Sequence, residues 1–152
     1  MGEVVGISTR EKKRAAMVVY YAAKVTFEKG VGDDSRGKIR NHRQVTVMSQ
    51  ESWDAVCKDL GKKLHWTTRR ANILISGVDL ENTEGKYLKI ADFLLKITGE
   101  LVPCNRMDEQ VLGLTDALKP NWRGGVTCQI LKEGDLKERD TVTLVNRDGT
   151  PV

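Results

Sequence analysis

Three thiols and a few gatherings of arginine are the residues of this chain that could do chemistry. Cys104 follows Pro103 and precedes Asn105 and Arg106, so it sits on a stiffened loop beside a cation and near the expected start of a helix. Such surroundings favour the thiolate, the form that ligates a soft metal or accepts sulfur. The local chemistry leaves a reactive and a structural thiol both open. Cys57 falls on the apolar stripe of an expected helix, and Cys128 alternates with Val126 and Ile130 on one face of an expected strand; both read as core residues.

Two basic groups precede expected strands, Arg69-Arg70-Ala71-Asn72 and Asn121-Trp122-Arg123-Gly124-Gly125. Arginine forks bind phosphate or carboxylate bidentately, and a glycine pair lets the backbone come close to a ligand. A solvated rim with a glycine turn is the plainer reading of each. A third basic segment, Gly32-Asp33-Asp34-Ser35-Arg36-Gly37-Lys38, has the glycine and lysine spacing of a nucleotide-binding P-loop. The motif then needs Ser or Thr to hold magnesium, and here Ile39 follows, while Asp33 and Asp34 put negative charge where phosphate must approach. The segment therefore reads as a charged loop, or as one whose Arg36, Lys38 and Arg40 face some other anion. His42 and His65 are the only histidines and have no partners at zinc-ligand spacing; they read as surface or structural. No G-x-S-x-G elbow is present, and a Cys-His pair meeting in space is left open.

These groups need a scaffold, and the composition supplies one. The chain has 152 residues, 39% of them hydrophobic and 30% charged, which fits a single domain over 1–152 with one core. The formal charge of +4 favours an anionic ligand without demanding nucleic acid, and aromatics at 5% show no regular interleaving with basic residues for stacking bases. The longest apolar run, Ala15 to Ala23, is too short to span a bilayer. Lys12, Lys13 and Arg14 precede it as in a signal peptide, but Tyr20, Tyr21 and Lys24 break that pattern. Three cysteines without C-x-x-C spacing suit a reducing compartment, so the expected location is cytoplasmic, with no membrane segment.

Most apolar segments are short and strand-like: Val4–Ile7, Val25–Phe27, Gln44–Met48, Asn72–Ile75, Tyr87–Ile90, Phe93–Ile97, Val126–Leu131 and Val142–Val145. Ala91-Asp92 suits a two-residue hairpin only loosely, since neither residue is glycine. One helix is well marked, with Ser49 as cap, Trp53, Val56, Cys57 and Leu60 at helical spacing, and Gly61 as stop. Shorter helical turns are expected at Glu109–Leu112 and Thr115–Leu118, the second ended by Pro120. Many short strands with few helices predict a mainly β fold, a small closed or nearly closed β-barrel with a few short helices.

Taken in order, the pieces resemble the MOSC domain, named for the C-terminal domain of molybdenum cofactor sulfurases. The resemblance covers nearly the whole chain. It runs from Val5-Gly6-Ile7-Ser8 through Gly32–Lys38 and Arg43-Gln44-Val45-Thr46, and is strongest in Trp66–Leu74 with Gly77-Val78-Asp79-Leu80. It continues in Thr98-Gly99-Glu100, Pro103-Cys104-Asn105-Arg106-Met107 and Trp122-Arg123-Gly124-Gly125-Val126.

The resemblance implies a barrel-like domain with one functional cysteine, falling on Cys104. Some family members are regarded as sulfur carriers that receive persulfide sulfur from a pyridoxal-phosphate-dependent cysteine desulfurase. Others hold the molybdenum cofactor (molybdopterin) through that cysteine and reduce N-hydroxylated compounds with an electron-transfer partner. By resemblance, Arg69, Arg70 and Asn72 are the first cofactor-binding candidates, followed by Arg36, Arg106 and Arg123. Cys104 is the candidate catalytic residue and molybdenum ligand. Sulfurases place a pyridoxal-phosphate domain ahead of this one, and the amidoxime reducers an extra N-terminal β domain. The pattern here starts at residue 4 or 5, so a short stand-alone form is expected and any pyridoxal phosphate belongs to a separate partner. The competing expectation is a non-catalytic anion- or nucleic-acid-binding barrel module, and a third is a structural partner of an oxidoreductase.

Overall fold

A computed structural model describes residues 1–152. Seven strands close into a barrel. Strand β1 (Gly2–Thr9) pairs with β6 (Ile73–Ser76), which runs parallel to β5 (Val45–Ser49). Beyond β5 lie β9 (Val126–Lys132), β8 (Phe93–Glu100), β7 (Tyr87–Ile90) and β11 (Thr141–Val145), and β11 returns to β1. Closure removes the open edges that a sheet of this size would otherwise expose. One further strand, β2 (Val18–Tyr20), extends β1, and a separate three-stranded sheet contains β3 (Ala22–Thr26), β4 (Gly30–Val31) and β10 (Gly134–Lys137).

The mainly β barrel is the one the sequence predicts, with four corrections to the strands. The segment expected at Val25–Phe27 is Ala22–Thr26, because its partners are Gly134–Lys137, whose register starts at Ala22. Strands β2, β4 and β10 were not expected: β2 lies inside the Ala15–Ala23 run, β4 has only two residues, and β10 buries only Leu136, so none shows a clear alternation. The Ala91-Asp92 hairpin does form, with Ala91 at a φ of 47° joining Ile90 and Phe93.

Only β5 and β6 are parallel, so the chain between them must cross over, and it does so through α1 (Gln50–Leu60) and a 3-10 turn at Trp66–Arg69. Ser49 caps α1 by accepting from Ser52 N at 3.1 Å, and Gly61 ends it in the left-handed conformation. The two parallel strands form a wall between two cores. Val45, Val47, Ile73 and Ile75 point into the barrel with Val4, Ile7, Phe93, Ile97 and Val126. Met48 and Leu74 point the other way, onto Trp53, Val56 and Trp66 and onto Met107, Leu114 and Leu118 of two short helices, α2 (Arg106–Gln110) and α3 (Leu114–Leu118). Each such buried side chain contributes roughly 1.5–3 kcal/mol. The smaller core fixes the segment from β8 to α3, which carries Cys104.

Candidate functional site

Cys104 is exposed, on the turn between β8 and α2. Its carbonyl accepts from Met107 N at 2.9 Å and from Thr115 Oγ1 at 3.0 Å, while Asp108 Oδ1 accepts from Thr115 N at 2.9 Å. The thiol is thus presented by two helices locked to each other. Cys128 lies as the sequence predicts, fully buried in the barrel with its thiol pushed up by burial, whereas Cys57, expected in the core, is only half-buried at the edge of the smaller core beside the Leu64 carbonyl.

Cys104 borders a cleft of about 610 Å³ that lies where the barrel meets the helices. Six of the seven residues singled out from the sequence line it: Arg36, Arg69, Arg70, Asn72, Cys104 and Arg106. Arg123 is the exception. It ion-pairs with Asp59 of α1 and donates to the Ala117 carbonyl at 3.1 Å, which ties α1 to α3 away from the cleft. The lining also contains Arg10, Lys13, Arg14 and Arg43, none of them a candidate from the sequence. Eight cations therefore face two carboxylates, Asp34 and Glu109, so the modest net charge of the chain is gathered in one place.

Not every lining residue is free for a ligand. Asn72 is 5% exposed; its Oδ1 accepts from Thr46 N at 3.1 Å and its Nδ2 donates to the Ser8 carbonyl at 3.2 Å, joining β1 to β5. Arg69 is equally buried and donates to the carbonyls of Leu101 and Gly124. Arg70 takes a φ of 68° at the end of the 3-10 turn and donates to the Ala15 carbonyl, holding the loop that carries Lys13 and Arg14. The glycine pair serves packing as well. A Cβ on Gly124 would lie 2.6 Å from the Leu101 carbonyl oxygen and 3.0 Å from Arg69 Nη2; one on Gly125, at a φ of 95°, would lie 2.2 Å from the Val47 carbonyl oxygen. Backbone and arginine approach these glycines, where the sequence suggested a ligand.

The P-loop-like segment has its own use. Asp34 is buried, and its carboxylate accepts from Arg10 N at 2.9 Å, Arg36 N at 3.1 Å and Gly37 N at 3.2 Å. The amides that would cradle a phosphate in a nucleotide site are taken by this side chain. Of the loop's cations, Arg36 alone lines the cleft; Lys38 pairs with Asp33 at 3.3 Å and Arg40 stacks on Phe27 at 4.4 Å.

The inner arginines crowd one another. Burial holds Arg10 below the ordinary guanidinium value, and Arg70 and Arg36 add to this while Asp34 opposes it. Burial likewise lowers Arg43, with Arg36 and Arg10 adding and Cys104 opposing. Arg69 is lowered to about 10 by burial and then by Arg43. Arg43 Nε is buried without a hydrogen-bond partner. An unsatisfied buried donor costs roughly 1–3 kcal/mol, and an anion in the cleft would remove that cost. No group of three or more His, Cys, Asp or Glu side chains comes together, so a metal here would have to arrive with its own ligands. The donor set fits a phosphate-bearing group with a soft metal: guanidinium forks for the phosphate, a thiol for the metal.

A small closed barrel with a cationic cleft and an accessible thiol at its rim defines the class. The MOSC domain model matches residues 34–143, and the chain belongs to the MOSC domain family. Its fold is similar to that of the YuaD protein from Bacillus subtilis, with a TM-score of 0.77 and 18% identity over 93% of this chain and 94% of that one. It is also similar to YiiM from Geobacillus stearothermophilus (TM-score 0.72, 15% identity, 97% and 76% covered) and YiiM from Escherichia coli (TM-score 0.71, 12% identity, 95% and 70% covered). No curated protein sequence matches the chain. No helix is long and apolar enough to cross a membrane.

Proposed function

We propose that the cleft binds the molybdenum cofactor, with its phosphate among Arg10, Arg36 and Arg43 and with Cys104 as the thiolate ligand of the metal. One observation carries this reading: an exposed cysteine and a crowd of inner arginines share one cleft, and a buried Arg43 N–H in it lacks an acceptor. Membership of the MOSC family supports it. The bound group would supply two-electron redox chemistry toward a substrate such as an N-hydroxylated compound, with a separate electron donor. The chain's own residues bind and orient it. The Asp34 carboxylate holds the backbone N–H groups of Arg10 and Arg36, and Arg70 secures the loop bearing Lys13 and Arg14 at the outer side.

The exposure of Cys104 favours a second reading, sulfur carriage. The Cys104 thiolate would attack the outer sulfur of a donor persulfide, the donor S–S bond would break, and the donor would leave as a thiolate. A separate pyridoxal-phosphate-dependent desulfurase would be that donor.

Protein purified from a cofactor-producing host tests the first reading by metal analysis and pterin fluorescence. Molybdenum and pterin in equal amounts, lost in Cys104→Ser and reduced in Arg43→Gln, are expected. Protein free of both, with a gain of one sulfur mass on Cys104 after incubation with a desulfurase and cysteine, would replace it with the second. Neither signal would overturn both.

A further inference from the structure

Arg69 occupies an unusual position for a residue that the sequence assigns to ligand binding. Its guanidinium is almost completely buried, and three of its N–H groups are committed within the protein. Nη2 donates to the Leu101 carbonyl at 2.7 Å, Nε to the Gly124 carbonyl at 3.1 Å, and Nη1 points at Met107 Sδ at 3.4 Å. Leu101 and Met107 bracket Cys104, each three residues away. Leu101 N in turn donates to the Gly125 carbonyl at 2.8 Å, and Met107 N to the Cys104 carbonyl at 2.9 Å. One side chain therefore reaches both ends of the thiol-bearing turn and anchors them to the glycine pair before β9.

The arrangement is costly to keep. A buried guanidinium loses hydration, and an apolar side chain of similar size often packs as stably, provided no polar partner is stranded. Here two carbonyls would be stranded. Gly124 has no side chain in the very place where a Cβ would meet both Arg69 and Leu101. Burial, and then Arg43, lower Arg69, while Cys104 and Glu100 act in the opposite sense.

We propose that Arg69 is a positioning residue for the Cys104 sulfur, bridging Leu101, Gly124 and Met107 so that the Pro103-Cys104 turn is held in one place at the rim of the cationic cleft. The proposal rests on Cys104 being the working thiol, not on which group it serves. Arg69 acts through the turn and touches no ligand phosphate.

The test compares Arg69→Lys and Arg69→Met with Arg123→Met, whose wild-type arginine ties α1 to α3 outside the cleft. Melting temperature, the pH profile of Cys104 alkylation by iodoacetamide, and amide exchange at Leu101 and Met107 are measured for each. Loss of a buried hydrogen bond should speed exchange at those two amides about tenfold relative to Cys128 in β9. The Cys104 alkylation rate should change at least about threefold in Arg69→Met, with its pH profile displaced, and Arg69→Lys should restore part of the profile but not the exchange protection. Arg123→Met should lower the melting temperature and leave Cys104 chemistry as in wild type. Should Arg69→Met fail to fold, the lysine variant alone carries the exchange measurement. Arg69 variants that lose only melting temperature, with Leu101 and Met107 exchanging in step with the barrel, would overturn the positioning role alone. A wild-type Cys104 that resists alkylation would overturn the reading of the cleft as well.

Discussion

The carboxylate of Asp34 accepts the backbone N–H of Arg10 at 2.9 Å, joining the end of β1 to a loop 24 residues further along the chain. Its other oxygen takes the N–H groups of Arg36 and Gly37. A buried anion thus fixes the backbone of two arginines whose side chains line the cleft, and partly offsets the charge around Arg10. Replacing it strands three amides. Asp34→Ala should cost about 2–3 kcal/mol, or roughly 4–12 °C in melting temperature for a chain of this size. Thermal denaturation followed by circular dichroism checks this, and a change below about 1 °C would show that water serves the amides as well as the carboxylate does.

The three cysteines should separate in native labelling. Iodoacetamide is expected to modify the exposed Cys104 first and the half-buried Cys57 more slowly. Cys128 should react only in denaturant, because burial both excludes the reagent and raises its thiol. Peptide mass spectrometry over time reads the order, and early modification of Cys128 would contradict the barrel core.

Gly125 packs where no side chain fits, with a φ of 95° and the Val47 carbonyl oxygen 2.2 Å from an added Cβ. Gly149 has a similar φ of 86° but open space around it. Gly149→Ala should therefore cost only the backbone strain, about 1 kcal/mol, and Gly125→Ala about 3 kcal/mol or more. Urea unfolding of the two variants separates strain from collision; equal losses would remove the collision.

The link between α2 and α3 should weaken in acid. Hydrogen bonds from Thr115, the backbone one first, hold Asp108 below the usual carboxylate value of 3.8. The unfolded chain then takes up the proton before the folded one, so the stabilisation is complete above that value and is lost as pH falls through the lower folded one. The gap in melting temperature between wild type and Asp108→Asn should be full near about pH 6 and should narrow progressively as the pH is taken below 3.8. A gap of constant size would place no stabilisation in the charge.

The barrel was legible because seven of its strands carry apolar runs or alternations in the sequence, and α1 because cap, stripe and stop agree. Strand β10 was not, since Gly134-Asp135-Leu136-Lys137 offers a single apolar residue and is recruited by pairing with β3. The site divides in the same way. Cys104 and five of its companions stood in recognisable clusters, whereas Arg10 opens the charged run Arg10-Glu11-Lys12-Lys13-Arg14, which offers no anion-site pattern, and its backbone is held beside the cleft by Asp34, 24 residues further on. Arg43 did carry a signal, as the first residue of the Arg43-Gln44-Val45-Thr46 segment of the family pattern. Arg123 shows the limit of composition: a fork beside glycines suits an anion equally well whether the anion is a ligand or Asp59.

The parallel pair β5–β6 has a consequence for how the cleft can move. Arg10, Arg36 and Arg43 are rooted in barrel connections, whereas Cys104 is rooted in α2 and α3, whose apolar residues belong to the smaller core on the far side of that wall. Cations and sulfur therefore meet across a seam between two independently packed halves. Loosening the lesser half would part them while the barrel stayed shut, so the spacing on which any shared ligand depends is governed by the weaker of two cores.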